Sequence, residues 1–313
     1  MARAAPCRVG VACSGGRDST ALLHATAHAA GPLGVEVVAL HVHHGLLPQA
    51  DDWWRHLQKR CSRWRQAGWP VRFSGARLQG RPAPGDSVEA WARRERYRAL
   101  EALATEQGID LVLLAHHRRD QAETVLLQAL RGAGPAGLSA MPRSARRQGI
   151  TWVRPWLDQP REAIEAYLRR HRLGAVEDPS NADARYARNR LRTQLWPAFA
   201  QVFPAAEVAL AGCARRMQEA QACLVEIATI DARAAVAAGV LDVAAWSALS
   251  EARRANLLRH WAAGWSTAGL PDSLGARLLA ELPGARSGNR WPAPGGWLRL
   301  QRGRLRFEPE SPA

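Results

Sequence analysis

The sequence predicts an α/β protein, a mostly parallel sheet with helices on both faces, followed by a mainly helical C-terminal domain with a small β-hairpin. Three observations predict it. Short apolar strands alternate with amphipathic helices through the first half of the chain, which favours a parallel sheet covered on both sides. Three stretches dense in polar chemistry, "CSGGRDS", "HVHHGL" and "AHHRRDQAET", each follow one of those strands. Beyond Phe203 the text turns Ala- and Arg-rich and helical up to Leu282, then alternates through "NRWPAPGGWLRLQRGRLRFEP" as a hairpin would.

In order, strands are expected at Arg8–Cys13, Val35–Val42, Val71–Ser74 and Asp110–Ala115, with another near Thr151–Arg154. Helices are expected over Ser19–Ala29, Asp51–Ala67, Ser87–Gln107, Asp120–Leu130 and Arg161–Arg170. The change of pattern near Phe203 divides the chain into a catalytic domain, 1–203, and a C-terminal domain, 204–313. Ligands of such sheets bind beyond the carboxyl ends of the strands, where the three polar stretches fall.

The chain has 313 residues, of which 47% are apolar, enough for a full core. Its longest apolar runs, such as Leu111 to Ala115, are far too short to span a bilayer, and "MARAAPCRVG" leads straight into the first strand with no signal-peptide pattern. A cytoplasmic protein without membrane association is expected. Cys7, Cys13, Cys61, Cys213 and Cys223 contain no C-x-x-C pair, which argues against a disulfide framework or a zinc knuckle. The formal net charge is +15 and Lys59 is the single lysine, so a polyanionic partner is expected.

In "VACSGGRDST" a strand runs into two glycines and then a helix. Unpaired amides and the positive end of the helix dipole converge there to make an anion site, with phosphate the natural occupant. It is not a Walker P-loop, since no lysine follows the glycines. Gly15 and Gly16 let the backbone approach a pyrophosphate; Ser14 and Ser19 can donate hydroxyl hydrogen bonds. A carboxylate among phosphates needs a cation between them, which makes Asp18 a magnesium ligand. Arg17 occupies the variable position of the loop. Asp and Ser also cap helices, and that plain capping turn is the competing reading.

The remaining motifs each admit a bland alternative. His43 and His44 are adjacent and cannot both face one ion from a regular element, so a structural histidine explains that stretch better than a metal site does. In "SVEAWARRERYRAL", Glu89 and Arg93 stand at i and i+4, as do Arg93 and Tyr97, with Arg96 beside them; an exposed ion-pair ladder has the same spacing. His116 and His117 close a strand, and Asp120 and Glu123 lie one turn apart at the next helix start. There they either complement the dipole or supply the second face of a metal–nucleotide site. Arg131 opens a Gly-rich basic loop, Arg131–Met141, suited to closing over a substrate. "VEDPSNADARYARNRLR" offers Asp178, Asn181, Arg185, Arg188, Asn189, Arg190 and Arg192, a cluster that either grips phosphates or lines a solvated helix face.

Taken in order, these stretches resemble the tRNA(Ile)-lysidine synthase family, with its S-G-G-x-D-S loop shared by the N-type ATP pyrophosphatases. The corresponding residues are Ser14–Ser19, His41 to Leu46, Glu89 to Tyr97, His116 to Thr124, Arg131 to Leu138 and Glu177 to Arg192. The resemblance covers about the first two-thirds of the chain, and the last part is similar to the family's first C-terminal domain. It implies an adenine nucleotide alpha hydrolase-like fold, ATP and Mg2+ as cofactors, and L-lysine and a CAU-anticodon tRNA(Ile) as substrates. The wobble cytidine would be adenylated at its C2 oxygen, with pyrophosphate released, and the amino group of lysine would then displace AMP. ATP binding falls to Ser14, Gly15, Gly16, Arg17, Asp18 and Ser19, metal to Asp18 and Asp120, and catalysis to Asp18, Asp120 and Glu123. Substrate contacts fall to His43, Glu89, Arg93, Arg96, Tyr97, His116, His117, Arg131, Asp178, Asn181, Arg188, Asn189 and Arg192.

Two departures stand out. Where the family has Asp-Asp-Gln this chain reads Arg119-Asp120-Gln121, and no counterpart of the additional terminal domain of longer members is expected. The C-terminal helical part is expected to read the tRNA outside its anticodon. A tRNA thiolase on the same ATP domain is the nearest alternative, weakened by the missing C-x-x-C. An inactive tRNA-binding relative is the other, raised by Arg119.

Overall fold

The computed structural model describes residues 7–45, 49–80, 82, 88–176, 183, 185–267 and 269–310, except for the side chain of Glu89. The chain divides into two compact units, Met1–Met217 and Gln218–Ala313.

The first unit runs β1 (Arg8–Ala12), α1 (Arg17–Ala30), β2 (Glu36–His43), α2 (Ala50–Gln66), β3 (Val71–Arg77), α3 (Val88–Glu106), β4 (Leu111–Leu113) and α4 (Arg118–Ala129). A single turn α5 (Pro135–Leu138), β5 (Ser144–Arg147), β6 (Ile150–Val153) and α6 (Arg161–Arg170) follow. The strands form one six-stranded sheet in the order β3-β2-β1-β4-β6-β5, parallel throughout except for the β5–β6 pair.

Alternation along β2 shows why helices must cover both faces. Val37 and Ala39 join Val9, Val11, Leu22, Leu23 and Leu57 in one buried cluster, so α1 and α2 lie on that side. Val38, Leu40 and Val42 join Leu100, Leu103, Val112 and Trp152 in another, against α3. A strand buried on both faces reads as a continuous apolar run, as "EVVALHV" does. Strand β5, by contrast, has no counterpart among the expected strands. Its sequence Ser-Ala-Arg-Arg has no apolar alternation, because it is an edge strand with three of its four residues exposed.

The unit continues through a short α7 (Ala187–Arg190), a π-helical turn (Leu191–Leu195), α8 (Trp196–Val202) and the start of α9 (Ala206–Ala235), which runs across the division at Met217. The second unit contains the rest of α9, then β7 (Val236–Ala237), β8 (Val240–Asp242), α10 (Val243–Ser247), α11 (Glu251–Ala262), α12 (Asp272–Glu281), β9 (Arg290–Ala293), β10 (Gly296–Gln301) and β11 (Arg304–Pro309). The terminal alternation is more than a hairpin: β9, β10 and β11 belong to a five-stranded antiparallel sheet, order β7-β8-β11-β10-β9. Its inner face packs Trp291, Leu298, Leu300 and Leu305 against Trp246, Leu257, Leu258 and Leu278. Among the described residues no single helix is long and apolar enough to cross a membrane.

Candidate active site

The strand order reverses at β1, which has β2 on one side and β4 on the other. Gly10 pairs with Val112 and Val11 with Leu113, so the segments that leave β1 and β4 emerge side by side. Such a switch point opens a crevice at the carboxyl edge of the sheet. Here it brings the glycine loop and the His116–Asp120 segment together.

The loop is tightly self-organised. The Ser14 N–H donates to Ser19 Oγ at 3.2 Å, Ser19 Oγ donates to Gly16 O at 3.1 Å, and the Gly16 N–H meets Ser14 Oγ at 3.3 Å. Gly15 has φ +88°, a conformation that a Cβ would strain. Gly16 is the N-cap of α1 and carries no side chain to cap the first-turn amides; the first intrahelical bond is Thr20 N–H to Gly16 O at 3.0 Å. An anion at the mouth would meet the N-terminal end of α1 there.

Asp18 and Asp120 reach the crevice from different helices and face one atom. His117 Nε2 lies 3.8 Å from Asp18 Oδ2 and 3.5 Å from Asp120 Oδ2. Burial pushes the Asp18 carboxyl above its ordinary value, His117 draws it back, and Asp120 pushes it up again. Burial acts the same way on Asp120, but His117, His116 and Arg192 outweigh it and hold that carboxyl low. Magnesium is usually held by one or two carboxylates plus substrate phosphates and water. A half-exposed Asp18 beside Asp120, at the edge of an anion loop, fits that donor set. Among the described residues no group of three His, Cys, Asp or Glu is arranged for a protein-only metal cage.

Glu123 sits deeper. It is fully buried, and Arg192 grips it with two bonds, Nε to Oε1 at 2.9 Å and Nη2 to Oε2 at 2.7 Å. Arg192 Nη2 also reaches Asp120 Oδ1 at 3.1 Å. Arg188 donates to Thr124 Oγ1 at 2.5 Å and stands 3.8 Å from Glu123. The π-helical turn thus docks on α4 through charge.

Arg188 also borders a second group. Arg93 lies over the Tyr97 ring at 5.4 Å, and Tyr97 packs edge-on to Trp152. The Arg96 guanidinium is lowered by burial and by the neighbouring charges of Arg93 and Arg188, against an opposing pull from Tyr97. Burial drives the His116 imidazole down to about 3, which Asp120 opposes and Arg154, Arg93 and Arg188 reinforce. His116 is therefore neutral in any ordinary working range, in the midst of cations.

Other expected residues lie elsewhere. His43 accepts the Gly45 N–H at 3.1 Å through Nδ1 and stands 3.4 Å from Asp51 through Nε2, so its contacts organise the end of β2. Asn189 donates to the Asp183 carbonyl at 3.0 Å and holds its own turn. Arg17 and Arg131 are exposed, at the loop and after α4 respectively. Asp178 and Asn181, with the side chain of Glu89, lie outside the described residues. The sequence reading missed Arg154, whose Nη1 holds the Pro142 carbonyl at 2.7 Å, and Arg60 and Thr20 beneath the loop. No motif flags them, because their partners are remote in sequence.

A family model described as a PP-loop domain matches residues 2–199, and another, the TilS substrate binding domain, matches residues 241–306. Fold and site together define a PP-loop nucleotide-binding protein. The tRNA(Ile)-lysidine synthase of Ralstonia nicotianae is 47% identical over 96% of this chain and 64% of its own length. That of Burkholderia mallei is 43% identical over 96% and 61%, and that of Bordetella pertussis 41% identical over 96% of each chain. The chain belongs to the tRNA(Ile)-lysidine synthase family. It spans a little under two-thirds of the first two relatives' lengths, 64% and 61%. Among solved structures, the U34-tRNA thiolase NcsA from Methanococcus maripaludis, with its [4Fe-4S] cluster, superposes with a TM-score of 0.58 at 14% identity over 68% of this chain and 72% of that one, a likeness of fold.

Proposed function

We propose that this protein ligates free L-lysine to C2 of the wobble cytidine in a CAU-anticodon tRNA(Ile), at the expense of ATP. The observation that carries the reading is the pairing of Asp18 and Asp120 across His117 Nε2 at the mouth of the glycine loop, within a chain of this family. The C2 oxygen of cytidine attacks the α-phosphorus of ATP, and pyrophosphate departs. The amino group of lysine then adds at C2, loses a proton, and AMP leaves with the original oxygen.

Each part of the site has a task in that sequence. Loop amides and the Ser14 hydroxyl hold the β- and γ-phosphates and stabilise the charge that develops on them, while Ser19, whose hydroxyl donates to the Gly16 carbonyl, keeps the loop in shape. Asp18 and Asp120 would hold magnesium, which would supply further positive charge to the departing group. Glu123 acts through Arg192: its carboxylate is saturated by two guanidinium bonds and aims that cation at Asp120. Arg93, Arg96 and Arg188, beside Tyr97 and neutral His116, form a basic and aromatic wall suited to a nucleotide of the RNA.

The second unit carries matching electrostatics. Arg299 pairs directly with Arg290 on β9 and with Arg306 on β11, a row of three exposed arginines on the face opposite the core. Glu308 pairs with Arg306 at 2.8 Å and lies 3.7 Å from Arg299, which offsets part of the like-charge repulsion, and the excess of positive charge that remains suits a polyanion such as the tRNA backbone.

Incorporation of labelled lysine into a CAU-anticodon tRNA(Ile) transcript, with ATP and magnesium, tests the proposal. Label that vanishes in Asp18→Ala is the expected result. No label from a protein that still binds the tRNA would overturn it.

A further inference from the structure

We propose that Arg60, on α2 and remote from the phosphate loop in sequence, is a positioning residue that orients the Gly15–Gly16 peptide so that its N–H faces the nucleotide. The proposal rests on reading that loop as the ATP phosphate site.

Arg60 is 5% exposed and lies beneath the loop. Its Nη1 donates to Thr20 Oγ1 at 3.1 Å; its Nη2 donates to the Gly174 carbonyl at 2.5 Å and to His56 Nε2 at 2.8 Å. Thr20 Oγ1, having accepted from Arg60, donates to the Gly15 carbonyl at 3.2 Å. The same carbonyl accepts the Val176 N–H at 3.0 Å, two residues beyond Gly174. A closed ring results: Arg60 to Thr20, Thr20 to Gly15, Val176 to Gly15, and Gly174 back to Arg60. One guanidinium holds both elements that pin the Gly15 oxygen.

The consequence follows from the planarity of the peptide. In a trans peptide the carbonyl of one residue and the N–H of the next point in opposite directions. Drawing Gly15 O inward therefore turns the Gly16 N–H outward, where it meets Ser14 Oγ at the exposed mouth. Glycine at φ +88° resists neither orientation sterically, so the hydrogen bonds decide it. A flipped peptide would present a carbonyl oxygen to the phosphates instead, replacing attraction with repulsion.

Charge points the same way. Among the described residues no carboxylate lies within salt-bridge distance of Arg60, and a buried cation without an anion is costly. Among the described residues its hydrogen-bond partners are a hydroxyl, a carbonyl and an imidazole, and the guanidinium lies over the Trp64 ring at 5.9 Å. Its charge adds to the positive potential behind the first turn of α1, where an arriving polyanion gains from it.

The test is calorimetric binding of ATP, pyrophosphate and adenosine to the full chain and to Arg60→Met, Arg60→Lys and Thr20→Val. The expected result is about a tenfold or greater loss for ATP and pyrophosphate in Arg60→Met and Thr20→Val, with adenosine binding unchanged and partial recovery in Arg60→Lys. Thr20→Val keeps the buried charge and breaks only the relay, and it carries the comparison should Arg60→Met fail to fold. Affinities for ATP within twofold of the parent, or equal losses for ATP and adenosine, would overturn the proposal. A parent protein that binds neither ATP nor pyrophosphate would instead overturn the reading of the loop itself.

Discussion

Arg119 Nε donates to Glu207 Oε2 at 3.0 Å, turning the cation next to Asp120 in sequence away from the carboxylate site. Arg118 takes the other oxygen of Glu207 at 3.0 Å, Arg119 Nη2 reaches Glu162 at 3.4 Å, and the Arg119 guanidinium lies over Trp196 at 5.2 Å. Successive helical residues diverge by about 100°, so Asp120 faces Arg192 and His117 while Arg119 faces α9. The departure from the family's acidic pair is thus absorbed by a local ion-pair fork. Arg119→Gln should leave lysine incorporation within about threefold and cost about 1 kcal/mol of stability, whereas Glu207→Ala, which strands two guanidinium groups, should cost about 2 kcal/mol. Denaturant unfolding alongside the labelling assay checks both; a hundredfold loss of labelling in Arg119→Gln would contradict the assignment.

Asp18→Asn and Asp120→Asn should each lower lysine incorporation by about two to three orders of magnitude, since under the proposed function both remove charge where the pyrophosphate would leave. Asp18→Asn should also demand more magnesium for the residual rate. Titrating magnesium against rate for each variant separates a lost metal ligand from a damaged fold, because the latter leaves the half-saturating concentration unchanged.

Glu123→Gln should behave differently. Removing the charge leaves Arg192, still bonded to Asp120 and 31% exposed, beside a neutral amide at the fully buried Glu123 position, which costs about 2 kcal/mol. A large drop in unfolding midpoint is expected here, against little change for Asp18→Asn. Equal stability of the two variants would show that the Glu123–Arg192 pair holds nothing together.

His24 sets an acid limit on stability. Its ring is buried among Trp64, Trp69, Tyr167 and His171, with Nδ1 sharing a 2.8 Å hydrogen bond with Tyr167 Oη. Burial first, then His171, His28 and Arg60, lower it to about 4. A histidine depressed in the folded state binds fewer protons there than in the unfolded chain between about 6.5 and 4. Its contribution is therefore intact above 6.5 and is lost as the pH falls towards 4. With solvent screening the effect is on the order of 1 kcal/mol. His24→Phe should flatten the fall in melting temperature between pH 7 and pH 5; an unchanged slope would exclude His24 as its source.

The arginine row on β9, β10 and β11 makes a prediction of another kind. Arg299→Ala should weaken tRNA binding for all sequences alike and reduce the salt dependence by about one unit of slope, the signature of a lost phosphate contact. It should change the stability of the sheet by less than about 0.5 kcal/mol, since the repulsion from Arg290 and Arg306 is lost together with the 3.7 Å pairing to Glu308. Filter binding across a salt series distinguishes this from a base-specific contact, which would change selectivity without changing the slope.

What the sequence determined by itself was everything that local pattern and short motifs encode. Alternating periods placed the parallel strands and their helices, and the run from Cys13 to Ser19 marked the anion loop because glycine, hydroxyl and carboxylate are needed together within one turn. Tertiary structure decided the rest. Strand order at the switch point brought Asp18 and Asp120 to one imidazole atom, although 101 residues lie between them. It buried Glu123 under Arg192, turned Arg119 towards Glu207 and set Arg60 under Gly15. The reason is physical: a periodic pattern records which face of an element is buried, while the partner of a buried charge is chosen by whichever element packs against it.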